Sequence, residues 1–171
     1  MLRWVLLRRL TVTERSLGES LDWMRFLVRT SLRAFFTFFR FLPMTRLRRT
    51  LPRGPYHVAR IVAVRDEDCG PCVQTVVNVA KADGVPLEIL RAVLARKPDA
   101  LPEECADAYH FAEKVVTATA DEGALREKIR ARHGDEALVE LALAMAACRV
   151  FPITKRALGF GTSCARVTVE V

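Results

Sequence analysis

Residues 56–80 read YHVARIVAVRDEDCGPCVQTVVNVA, a Cys-Gly-Pro-Cys motif between two apolar segments of helical spacing. The spacing predicts a helix on each side of the motif, with the Gly-Pro pair making the turn. If Cys69 lies at the start of the second helix, its sulfur and that of Cys72 share one face, about one turn apart. A helix N-terminus favours a thiolate, and Cys-X-X-Cys motifs lower thiol pKa values. The motif therefore predicts thiol–disulfide or peroxide chemistry.

The composition of the 171-residue chain indicates one domain of ordinary size with a substantial core. Hydrophobic residues make up 51% of the chain, which is not the composition of a disordered protein. The chain has five cysteines, an odd number with one close pair, so it lacks the pattern of a disulfide-stapled secreted domain. In a reducing cytosol a single CxxC is more often redox-active than structural. We therefore expect a cytoplasmic protein.

The net charge of +7 is distributed unevenly along the chain. Residues 1–60 carry 13 arginines, no lysine and 3 acidic residues, a net charge of +10, whereas residues 61–171 carry −3. This division predicts a basic N-terminal arm, residues 1–50, followed by a mildly acidic domain, residues 51–171. Such an asymmetry is compatible with contact to nucleic acid, to an anionic membrane or to the acidic domain itself.

The arm is aromatic as well as basic. A helix is predicted over residues 21–42, with Arg25, Arg29 and Arg33 in one stripe and apolar side chains over most of the remaining surface. These arginines and Arg40 speak against a membrane-spanning segment, because each costs ~2.5–3.5 kcal/mol at the centre of a bilayer. The arm is expected to pack on the domain or on a second subunit, with an anionic membrane surface as the alternative partner. Nucleic acid is not expected, because the arm contains no recognised binding motif.

The rest of the chain is also predicted to be helical, which gives an all-α fold. Glycines and prolines mark the segment ends, with Gly134 expected to separate two helices and Pro152 to kink or break the chain. Residues 166–171 alternate valine with polar residues and are predicted as a short strand, too isolated to form a sheet. The helices predicted outside the arm are residues 56–67, 73–82, 87–96, 103–117, 121–132, 135–150 and 154–158.

Residues 56–160 resemble the AhpD-like, or carboxymuconolactone decarboxylase, superfamily. The matching pieces are a helix running into DCGPC (68–72), then AKADGVP (80–86), ILRAVL (89–94), FAE (111–113), GDEALVEL (134–141) and KRALG (155–159). The resemblance implies an all-α domain that assembles as trimers or hexamers and binds no cofactor. It also implies reduction of a peroxide or disulfide substrate at the expense of an external thiol reductant.

In the family the second cysteine attacks the peroxide and the first resolves the product, which would make Cys72 the nucleophile and Cys69 the resolving thiol. The helix dipole taken alone favours Cys69 as the exposed nucleophile. Both assignments remain open from the sequence.

The chain departs from the family pattern at the proton relay. Redox members place a histidine four residues after the second cysteine, where this chain has Val76, and a glutamate twelve residues before the first, where it has His57. His57 would replace the missing base if it faced Cys72 across the helix pair; the alternative is a histidine satisfied within that pair. The acidic residues 66–68 either raise the pKa of a nearby thiol or are solvated turn residues.

Other functions receive less support from the sequence. The main alternative is a non-catalytic oligomeric or membrane-peripheral helical module with a structural CxxC. Thioredoxin shares the Cys-Gly-Pro-Cys tetrapeptide but needs a preceding strand, which is not predicted here. Lactone decarboxylation is ranked lowest, because the sequence assembles no site for it.

A metal site is not expected. One CxxC supplies two ligands where zinc usually needs four, and the other candidate ligands are scattered along the chain: Cys105, Cys148, Cys164, His110 and His133. Cys105 and Cys148 are expected to be core thiols.

Overall fold

The computed structural model describes residues 1–119 and 121–161, and every regular element within them is helical. The predicted all-α fold is thereby confirmed. The predicted strand at residues 166–171 and Cys164 lie outside the described residues. The α-helices of the described part are α1 (Leu2–Leu17), α2 (Asp22–Thr30), α3 (Leu32–Phe41), α4 (Arg53–Arg65), α5 (Gly70–Ala82), α6 (Leu87–Leu94), α7 (Glu103–Thr117) and α8 (Gly123–Ala157), with short 3-10 helices at Leu42–Arg46 and Pro98–Ala100.

The core is built around α4, which is buried along its length from Gly54 to Val64. The side chains of α4 are mostly small or β-branched, and they allow α5, α7 and α8 to pack against it on several sides. His57 near the start of α4 contacts Asp83 just beyond the end of α5, so the two helices run antiparallel. The connection between them, residues 66–69, therefore places the CxxC motif at one end of this helix pair.

The prediction of one helix over residues 21–42 is wrong at Ser31. This residue is extended, with φ −148° and ψ 107°, and it divides the segment into α2 and α3. Its hydroxyl accepts a hydrogen bond from the backbone N–H of Ala34 at 3.1 Å, so it caps the N-terminus of α3. Because apolar residues continue at helical spacing on both sides of Ser31, the sequence pattern does not reveal this cap. The whole arm, residues 1–50, was expected to be helical, but no bounds were predicted for α1 (Leu2–Leu17).

Helix α8 contains one of the two predicted interruptions. Gly134 has φ 86° and ψ 172°, a non-helical conformation that glycine adopts without steric cost, and it kinks the helix. Pro152, by contrast, does not end the helix, which continues to Ala157. Pro152 is buried, and the helix continues past it although proline supplies no backbone N–H donor.

The apolar side chains of the arm form a second cluster, which joins the domain through the end of α8. Trp23 and Phe38 pack edge to face at 5.1 Å between ring centroids, and both contact Phe151 of α8. The side-chain amide of Asn78 on α5 also donates to the carbonyl of Leu17 at 3.0 Å. The arm therefore packs on the domain, which is one of the arrangements that the sequence predicted.

The chain between arm and domain is fixed by Glu140, a carboxylate of α8 that is 1% exposed. It accepts hydrogen bonds from the backbone N–H groups of Arg49, Thr50 and Leu51 at 2.6, 3.1 and 3.0 Å. Burial acts to raise the pKa of Glu140, but these three N–H donors hold it below its ordinary value of 4.5. The ionised carboxylate thus ties the linker to the core.

One helix in the described part of the chain, α8, has the length and apolar composition needed to cross a membrane. A core helix of a folded domain passes the same test, so this is weak evidence for a membrane span. Within the fold, α8 packs against α4 and α7, and its most apolar window is 44% buried.

Candidate functional site

The CxxC motif forms the first turn of α5. Cys69 is the N-cap residue, and its carbonyl accepts hydrogen bonds from the N–H groups of Cys72 and Val73 at 2.9 and 3.0 Å. The two cysteines form a disulfide with their Cα atoms 5.2 Å apart, within the usual range for such a bond. The expectation that the sulfurs lie within bonding distance at the start of a helix is therefore confirmed.

A cavity of about 330 Å³ lies between the arm and the domain, and Cys72 is part of its wall. Cys72, Thr75, Val76 and Val79 form one stripe of α5 along this wall, whereas Cys69 does not line it. Both cysteines are nearly buried, at 5% and 6% exposure. A small oxidant that enters the cavity thus meets Cys72 rather than Cys69.

The cavity wall is mainly apolar, but four charged side chains line it. Burial lowers the pKa of Lys155 and raises the pKa of Glu19, so both groups are shifted toward their neutral forms. Arg46 and Arg60 are the other two. The apolar part of the wall includes Leu10, Leu17, Leu21, Trp23, Met24, Phe39, Leu42, Val64 and Phe151.

His57 does not face Cys72, so the hypothesis that it replaces the missing base is not supported. It contacts Asp83, eleven residues beyond Cys72, which corresponds to ~16 Å along α5 at the helical rise. An arginine always donates, so the contact of 3.2 Å with Arg60 makes Nδ1 of His57 an acceptor. Nε2 then carries the proton and donates to Asp83 at 3.0 Å. Burial and the adjacent guanidinium lower the pKa of His57 to about 4.

His57 is therefore the satisfied histidine of the alternative interpretation, and what it orients is Arg60. Arg60 is 6% exposed and is one of the residues that line the cavity. Its Nε lies 3.4 Å from the Cys148 sulfur, and its guanidinium carbon lies 5.2 Å from the centroid of the Tyr56 ring. Arg60 cannot be recognised as a site residue from the sequence, because a lone arginine in an apolar helix carries no motif.

Glu67, two residues before Cys69, is not the solvated turn residue that one interpretation of the sequence expected. It is 6% exposed, and its carboxylate accepts a hydrogen bond from Nε of Arg149 at 2.6 Å. Arg156 donates to the backbone carbonyl of Glu67 and lies 3.5 Å from its carboxylate. These contacts clamp the turn before the motif onto α8. Asp66 forms partly exposed pairs with Arg65 and Arg96.

The other described cysteines are core thiols, as expected. Burial raises the pKa of Cys105 to about 12 and also raises that of Cys148, so both stay protonated and unreactive at neutral pH. In the described residues, histidine, cysteine and acidic side chains form no group of three or more that could hold a metal ion.

No family model, no curated protein and no solved structure matches this chain. The resemblance to the AhpD-like superfamily therefore stays a prediction.

Proposed function

We propose that this protein is a thiol-dependent oxidoreductase that reduces hydroperoxides, or exchanges disulfides, through Cys69 and Cys72. The observation that carries the proposal is the disulfide at the start of α5, one of whose cysteines, Cys72, is among the residues that line the arm–domain cavity. A structural disulfide needs no such access. The resemblance to AhpD-like proteins supports the same chemistry and assembly as trimers or hexamers, and the single CxxC favours a cytoplasmic location.

The reaction follows from the placement of the two sulfurs. The Cys72 thiolate attacks the terminal oxygen of a hydroperoxide; an S–O bond forms, the O–O bond breaks, and the departing alkoxide takes a proton from solvent and leaves as the alcohol. Cys72 is then a sulfenic acid. The Cys69 thiolate attacks the Cys72 sulfur; the S–S bond forms, the S–O bond breaks, and the departing hydroxide takes a proton from solvent and leaves as water. An external dithiol reduces the disulfide and is itself oxidised to a disulfide.

Two features favour the Cys72 thiolate without a histidine relay. The sulfur lies in the first turn of α5, where the helix dipole stabilises negative charge. Two arginines, Arg46 and Arg60, also line the cavity, and the other two charged lining residues, Lys155 and Glu19, are of opposite sign. Val76, at the family's relay position, lines the same wall and supplies no proton.

The reduction potential of the disulfide tests this proposal. We expect a value between about −270 and −180 mV, the range of catalytic dithiols, because the bond must be reduced in each cycle. It is measured by equilibrating the protein in dithiothreitol and glutathione buffers and counting free thiols. A Cys105→Ala variant serves as the control and should give the same value. A potential below about −300 mV would identify a structural disulfide and exclude turnover.

A second candidate function, peripheral membrane binding by the arm, is favoured by the outer surface of α1. Trp4 and Val12 are 59% and 67% exposed, and Leu2 and Val5 are also largely exposed. The same helix carries four arginines and one glutamate, and the Arg8 guanidinium stacks over Trp4 at 4.1 Å. Exposed apolar groups beside basic ones are typical of helices that lie in an anionic membrane interface.

Flotation of the full-length protein with anionic vesicles tests this candidate. We expect binding at low salt that weakens at about 0.5 M salt, because the shorter Debye length screens the attraction between the arginines and the anionic lipid. The double variant Trp4→Ser/Val12→Ser should lose binding, whereas Val139→Ser, which alters an exposed apolar residue outside the arm, should retain it. If the wild-type protein stays unbound at low salt, the membrane function is wrong.

A further inference from the structure

A buried arginine without a carboxylate partner lines the arm–domain cavity. Arg60 is 6% exposed, yet among the residues that the structure describes it forms no ion pair with a carboxylate. Its contacts are with a neutral histidine, a thiol and an aromatic ring. Charged side chains are seldom buried unless paired, because removal of the charge from water is costly. Such a guanidinium is suited to an anion that enters the cavity.

The other charged residues of the cavity wall also favour an anionic ligand. Lys155 interacts electrostatically with Glu19, which is the single carboxylate among the lining residues and whose pKa is raised by burial. Arg46 adds an exposed cation. The wall therefore presents an excess of positive charge within apolar surroundings.

The remainder of the wall requires an apolar ligand body. Aliphatic and aromatic side chains of the arm cover one side of the cavity, and valines of α4 and α5 cover the other. A volume of about 330 Å³ is within the range of small-molecule sites. A hydrated inorganic anion would leave this apolar surface uncovered, whereas a single hydrocarbon chain would cover it.

We infer that the cavity binds a single-chain amphipathic carboxylate, with the carboxylate on Arg60 and the hydrocarbon chain along the apolar wall. A guanidinium fork suits a carboxylate, since it donates two parallel hydrogen bonds. His57 is a positioning residue in this site, because it holds one side of the Arg60 guanidinium through Nδ1. Binding at this site requires no reaction at Cys72 and so goes beyond the proposed function.

Dodecanoate is the probe, and Trp23 of the cavity wall is the reporter. The chain has two tryptophans, so a Trp4→Phe background leaves Trp23 as the single indole. We expect a saturable change in Trp23 fluorescence with dodecanoate, and at least tenfold weaker binding of 1-dodecanol and of dodecyltrimethylammonium. Equal affinity for the three probes, or no saturable change, would overturn the inference.

Charge variants locate the carboxylate. In the same background, Arg60→Gln should bind dodecanoate at least tenfold more weakly and Lys155→Met several-fold more weakly, whereas the exposed Lys97→Met should bind as the parent does. A folded Arg60→Gln protein with parental affinity would refute the site. If circular dichroism shows that Arg60→Gln does not fold, the comparison of the three probes on the parent decides.

Dodecanoate binding and hydroperoxide turnover, both measured on the Trp4→Phe protein and on the wild-type protein, separate this inference from the proposed function. Binding without hydroperoxide turnover in the wild-type protein would remove the proposed function alone, and turnover without binding would remove the ligand site alone.

Discussion

Replacement of Glu140 by glutamine is expected to lower the free energy of unfolding by ~2–4 kcal/mol at pH 7. Both carboxylate oxygens accept backbone N–H groups of the arm–domain linker, at 2.6 Å from Arg49 and at 3.0 Å from Leu51. Glutamine replaces one acceptor with an NH₂ donor, so at least one buried N–H loses its partner and faces another donor. Urea unfolding, followed by helical circular dichroism, measures the difference.

The effect of Glu140→Gln should depend on pH in a definite direction. Because the pKa of Glu140 is below 4.5 in the folded protein, its ionised form stabilises the fold above that pH. This stabilisation is lost as pH falls through the lowered pKa, so the difference between wild type and variant should shrink in acid. Glu136→Gln, an exposed site one turn earlier on α8, is the matched control and should change stability by less than ~0.5 kcal/mol. Equal stability of the wild type and the Glu140 variant at pH 7 would contradict the assigned role.

The fold class could be predicted because its signals are local. Apolar residues at helical spacing and the glycines and prolines between segments are visible in the sequence, and α7 has the predicted bounds, residues 103–117. The prediction of one continuous helix failed at Ser31 because no periodicity signal marks the interruption. A single hydroxyl-to-backbone hydrogen bond ends a pattern that continues on both sides.

The close cysteine pair of the candidate site was predictable from the sequence, but the residues around the pair were not. The spacing of Cys69 and Cys72 is enough to place their sulfurs within bonding distance. The partners of Arg60 and Glu67 are instead 88 and 82 residues away in the chain, on α8. Only the tertiary fold brings these groups together, and the cavity between arm and domain is also formed by the tertiary fold. The contact of His57 could not be predicted for the same reason, because its partner Asp83 is 26 residues away in the chain.

Replacement of Cys72 by serine is expected to reduce hydroperoxide turnover at least about a hundredfold, because the attacking thiolate is lost. Cys69→Ser should act differently. Its Cys72 still attacks the peroxide once, but the sulfenic acid then has no resolving thiol beside it. Dimedone should therefore label Cys69→Ser after peroxide treatment and leave Cys72→Ser unlabelled. Cys105→Ala is the control and should turn over as the wild type does, because that thiol is buried with a raised pKa.

The most direct measurement mixes fully reduced protein with one equivalent of cumene hydroperoxide and counts the thiols lost and the alcohol formed. The proposed chemistry predicts two thiols lost and one alcohol formed per peroxide in the wild type, one thiol lost in Cys69→Ser, and none in Cys72→Ser. Consumption of peroxide by Cys72→Ser at the wild-type rate, or a wild-type protein whose Cys69 and Cys72 stay reduced, would contradict it.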